Sequence, residues 1–109
     1  MEARNAVIEC VDIGKRRFIG KGSVIVARIV LGMGDSPNQS VTVELPDDCV
    51  GQWLQKFFET VGIGSLWQGN GKAVRLKIGA TLLEGQIRIG HIVKDVWFNP
   101  YDLREDPAA

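Results

Sequence analysis

The period of apolar and polar residues changes along the chain, and each change marks an element. From Ala6 to Ile13 the residues are β-branched and apolar with Glu9 and Asp12 interspersed, which predicts a first strand that Gly14 ends. Gly14-Lys15-Arg16-Arg17 then reads as a basic turn. Phe18-Ile19 opens a second strand that Gly20 and Gly22 bend before the strong β-former run from Ser23 to Leu31. Turn residues gather between Gly32 and Gln39. Ser40 to Leu45 alternates Val41, Val43 and Leu45 against Thr42 and Glu44, a third strand with one wet face.

Pro46-Asp47-Asp48 breaks that alternation, and either Asp can cap a helix or favour the positive end of its dipole. Cys49, Val50, Trp53, Leu54, Phe57, Phe58 and Val61 recur at helical spacing, so one amphipathic helix is expected over about 48–61, stopped by Gly62. After a glycine-rich segment, Lys72 to Ile78 alternates strictly and places Arg75 and Lys77 on the outer side of a fourth strand. Gly79 and Gly85 bracket a short connection, and Gln86 to Trp97 is a fifth strand with a bend at Gly90. The order β-β-β-α-β-β predicts a mainly β (α+β) domain over residues 1–100. It matches the oligonucleotide/oligosaccharide-binding (OB) fold, a five-stranded Greek-key barrel with one helix between its third and fourth strands. Residues 101–109, with Asp102, Glu105 and Asp106, are expected to form a loose acidic tail.

Composition narrows the class without naming a function. The chain has 109 residues, 45% hydrophobic and 24% charged, as a single globular domain has. Its longest apolar run, Val24 to Leu31, is interrupted by Arg28 and is too short to span a bilayer, and Met1 to Asn5 lacks the apolar core of a signal peptide. No membrane association and a cytoplasmic, reducing location are therefore expected, with Cys10 and Cys49 as small buried thiols. Chemistry is sparse. His91 is the sole histidine and is expected to be a packed or edge-strand residue; Cys49 could gain thiolate character at a helix start but is read as structural. No metal-ligand spacing is present. The Gly-Lys pairs at Gly14, Gly20 and Gly71 lack the spacing and the strand-to-helix setting of a phosphate loop. No catalytic residue, metal or cofactor is expected.

Thirteen basic residues balance thirteen acids, but the two signs are segregated. Ile13 to Gly34 holds Lys15, Arg16, Arg17, Lys21 and Arg28 without an acid, and Thr60 to Leu83 holds Lys72, Arg75 and Lys77 without one. In an OB barrel the first loop and the face of strands two and three form the usual binding surface. The expected nucleic-acid contacts are therefore Lys15, Arg16, Arg17, Lys21, Arg28, Arg75 and Lys77, with Phe18 and Trp97 stacking on bases. Trp67, Phe98 and Tyr101 are further aromatic candidates, and the bland alternative for Lys15 to Arg17 is a solvated hairpin tip.

Leu54 to Gly62, Gly71 to Ile78 and Gly90 to Phe98 resemble small phage- or prophage-encoded proteins, in which a helix ending in valine-glycine leads to a Gly-Lys strand and a closing strand. The layout is similar to that of phage single-stranded-DNA-binding proteins with an OB-like barrel. Such a resemblance implies a non-enzymatic accessory of replication or recombination, although those proteins carry more aromatics on their binding strands. The alternative is a small phage inhibitor of a host defence system, anti-CRISPR-like, that covers a host protein. Exposed strand edges also leave a homodimer open.

Overall fold

The computed structural model describes residues 3–20, 22–34, 36–79 and 87–104, with the side chains of Phe18 and Ser36 left aside. Lys21 and Gln86 lie outside the described residues. Six antiparallel strands form one sheet: β1 (Ala3–Phe18), β2 (Gly22–Met33), β3 (Ser36–Leu45), β4 (Ala73–Ile78), β5 (Ile87–Gly90) and β6 (Trp97–Phe98), in the spatial order β3-β2-β1-β4-β5-β6. One helix, α1 (Val50–Val61), connects β3 to β4. Among the described residues the fold is thus mainly β with one α-helix, as the pattern implies, but with six strands where five were expected.

β1 organises the sheet because it is paired on both sides. Its first residues pair with β4, from Ala3 opposite Lys77 to Val7 opposite Ala73, and from Val7 to Phe18 it pairs with β2. Gly14 does not end it: its backbone is not in the left-handed region, and it pairs with Val26 inside a continuous ladder. The expected basic turn is therefore strand, and the chain reverses after Phe18, where Gly20 and Gly22 supply positive φ of 84° and 73°. β3 reaches only to Leu45 opposite Ile25, so the hairpin from Arg16 to Val24 continues as a two-stranded arm beyond it.

A bulge sets which side chains face inward. Ile8 pairs with Leu31 and Cys10 with Val30, so Glu9 is an extra residue on β1. Ala6 and Ile8 point to the core before it, and Val11 and Ile13 after it. Without that shift the period of two would carry Cys10 and Asp12 inward. The Glu9 side chain lies over Gly32, where an added Cβ would sit 2.2 Å from a carboxylate oxygen.

The core lies between the inner sheet face and α1. Trp53 and Phe57 stack with centroids 5.4 Å apart, and Phe98 meets Trp53 edge-on at 5.3 Å. Each such buried apolar side chain contributes about 1.5–3 kcal/mol over leaving it exposed. A 3₁₀ turn, Asp47–Cys49, precedes α1, and no side chain caps either, so the expected Asp cap is not formed. Gly62 does stop the helix, at φ 83°, its N–H donating to the Phe58 carbonyl at 2.8 Å.

The expected last strand is split by a loop. His91 Nδ1 accepts hydrogen bonds from the N–H groups of Val93 and Lys94, each 3.1 Å, which turns the chain out of β5 before it returns at Trp97. Beyond β6 the start of the expected loose tail is docked. Tyr101 and Leu103 pack against the core, Trp53 Nε1 donates to the Pro100 carbonyl at 3.1 Å, and Lys56 Nζ donates to the Leu103 carbonyl. Residues 105–109 lie outside the described residues.

Candidate nucleic-acid interface

Strand alternation sorts the basic residues between the two sheet faces. On the outer face, turned away from the core, lie Arg16 on β1, Arg28 on β2, Arg75 and Lys77 on β4 and Arg88 on β5, each a register neighbour of residues that point outward. Described acids on the same face are Glu9, whose carboxylate lies over Gly32, Asp12 and Glu44. Lys15 and Arg17 are exposed on the opposite side of β1, in line with Val11 and Ile13, so three consecutive cations that look like one patch divide between two faces. Phe18 pairs with Gly22 at the end of β1, and its side chain and Lys21 lie outside the described residues.

Arg16 and Arg28 flank one groove. With Val26 and Thr42 they line a cavity of about 340 Å³ on the outer face of β1, β2 and β3. Val26 is only 3% exposed although it lies outside the core cluster, so it serves as an apolar floor between the flanking residues. Arg28 sits opposite Thr42 on one side and Asp12 on the other. Asp12 bonds Arg16 at 3.4 Å; both side chains are about half exposed, where such a pair is worth well under 1 kcal/mol and exchanges readily for another anion. Val26 and Thr42 are members of this site that charge and aromatic content did not flag; strand register brings them there, and only the alternation of Thr42 with Val41 and Val43 hinted at its outward direction.

Arg75, Lys77 and Trp97 form a second, separate cluster. Arg75 pairs with Asn5 and Arg28 with Asp12, so the two clusters are roughly 20 Å apart along β1 at about 3.3 Å per residue. The Trp97 ring lies against Gly90 on one side, and carries Lys77 Nζ at 3.9 Å and the Arg75 guanidinium at 4.8 Å from its centroid. Trp97 Nε1 donates to Asp95 Oδ1 at 2.8 Å, and Arg75 donates to the carbonyls of His91 and Lys94 at 2.8 and 2.7 Å. At 7% exposure the Trp97 ring is covered, and this cluster clasps the 91–96 loop to β4. Phe98 is buried in the core and Tyr101 partly so. Among the described side chains, Trp67, on the 3₁₀ turn Leu66–Gly69, is the candidate aromatic with an open surface, 75% exposed.

The titratable groups with catalytic potential do not converge. Cys10 is exposed on the outer face, against the buried thiol expected. Partial burial first, then the Asp48 carboxylate beside it, push the Cys49 thiol up from its ordinary range, away from a thiolate nucleophile. The His91 ring is occupied with the loop that it shapes. Among the described residues no group of three or more His, Cys, Asp and Glu could hold a metal, and no helix is long and apolar enough to cross a membrane. No protein family, curated protein or solved structure matches the chain.

Proposed function

We propose that this chain is a non-enzymatic binding protein, an OB-like accessory of a phage or mobile element that holds single-stranded nucleic acid across the outer face of β1, β2 and β3. The observation that carries the reading is that Arg16 and Arg28 flank one groove with an apolar floor, at the root of the two-stranded hairpin arm. Cations beside an apolar seat suit a polymer with a charged backbone and flat, weakly polar bases. The barrel reading is supported by β1 pairing with both β2 and β4 and by a helix between β3 and β4.

Fluorescence anisotropy with a labelled oligothymidine tests the reading. Affinity is expected to fall steeply with salt, and Arg16→Ala with Arg28→Ala should reduce the slope by about 0.7 for each phosphate that is no longer neutralised. Absence of binding at ~50 mM salt, where a phosphate-dominated site is strongest, refutes it.

One observation favours a second reading, the anti-CRISPR-like inhibitor of a host defence protein: Trp67 stands exposed on its turn, and Trp is enriched among the residues that carry most of the energy of protein interfaces. A nuclease-resistant, stoichiometric complex abolished by Trp67→Ala but kept by the double arginine variant would select this reading instead.

A further inference from the structure

We infer that the groove seats a single nucleobase of the bound strand flat against Gly14 and Val26, between the Arg16 and Arg28 guanidinium groups and with the Thr42 hydroxyl at its edge; this rests on the nucleic-acid reading above. Gly14 carries the argument. Glycine inside a strand weakens it and marks a bulge, a tight bend or a place where something approaches the backbone. Gly14 has no bulge at its position and no positive φ, and an added Cβ would meet nothing within 4 Å. Other glycines in the sheet have internal reasons: Gly90 is pressed by the Trp97 ring, and Gly32 lies under Glu9. Among the described residues nothing accounts for the missing side chain at position 14, whereas a ligand lying on the strand would.

The surroundings fit a base. Val26, the register partner of Gly14, is the apolar floor, and the cavity beside it, about 340 Å³, is at the small end of ligand sites. Guanidinium planes stack on bases as aromatic rings do, which removes the difficulty that the binding strands carry few aromatics. A hydroxyl both donates and accepts, so Thr42 can meet any base edge without strong preference.

The test compares oligothymidine with a strand of equal length bearing abasic positions, by anisotropy at fixed salt, for the wild-type chain and Gly14→Val. Valine suits an extended backbone and has room at this position, so the variant should fold, as thermal unfolding will verify. The wild-type chain is expected to prefer the base-bearing strand by roughly tenfold, within the range for one stacked base. Gly14→Val should bind both strands alike with an unchanged salt slope. A wild-type chain indifferent to the bases, or a Gly14→Val chain that keeps the preference, overturns the seat while leaving the nucleic-acid reading standing. Binding of neither strand by the wild-type chain overturns both.

Discussion

At the scale of single residues, the chemistry of this chain is set by what packs round each group. Cys49 stands at the start of α1, where a helix dipole would favour a thiolate, yet burial and Asp48 act the other way. In a Cys10→Ser background, the midpoint of the iodoacetamide rate against pH should lie above that of a free cysteine thiol, and Asp48→Asn should move it down. A midpoint at or below the free-thiol value would remove the assignment. The sign for stability follows: a thiol raised on folding contributes below its unfolded pKa and loses that contribution as pH rises through the folded value. Asp48 beside Cys49 is visible in the sequence. The larger cause, burial, is not, because it comes from tertiary packing. Asp102 is the opposite case, held below the usual carboxylate range by hydrogen bonds from the Arg104 side chain and backbone N–H, all within three consecutive residues.

At the scale of elements, local pattern succeeds where one face of an element is dry and fails where pairing overrides propensity. The apolar spacing of Trp53, Phe57 and Val61 locates α1 to within two residues, and Gly62 its end. The stretch Ile8-Glu9-Cys10-Val11 hides the bulge, since it fits a strand in either register and only β2 fixes which residues face inward. Gly14 reads as a stop because glycine weakens strands, but the ladder with β2 runs on before and after it and holds the backbone extended. Gly90 reads as a bend, and the structure gives its actual constraint: a Cβ there would lie 2.6 Å from the Trp97 ring. Gly90→Ala should therefore displace the ring from under Arg75 and Lys77 and cost about 1–3 kcal/mol, the usual cost of overpacking. Urea unfolding gives the magnitude, and the Trp97 indole N–H resonance, bonded to Asp95 in the wild-type chain, should move. An unshifted resonance with unchanged stability would contradict this packing.

At the scale of the whole molecule, helix, sheet and C-terminal segment share one core. Trp53 joins all three: it stacks on Phe57, meets Phe98 of β6 edge-on, and donates to the Pro100 carbonyl. Truncation after Asn99 would leave that buried indole N–H without its partner and strip Tyr101 and Leu103 from the core. A loss of about 3 kcal/mol is expected, from an unsatisfied buried donor at about 1–3 kcal/mol and the partial burial of two side chains. Truncation after Arg104 keeps all of these interactions, and equal stability of the two truncations by urea unfolding would show that the segment adds nothing. The sequence alone determined the β-rich class, the single helix, and the separation of basic from acidic segments, because each is written in residues close along the chain. Tertiary structure decided which cations share a face. Lys15, Arg16 and Arg17 are adjacent in sequence but divide between two sides of β1, whereas Arg16 and Arg28 flank one groove on the outer face through a register set by the Glu9 bulge and the hairpin turn. Side chains alternate at every residue and neighbouring strands lie about 4.8 Å apart, so proximity across a sheet depends on pairing, which no local pattern encodes.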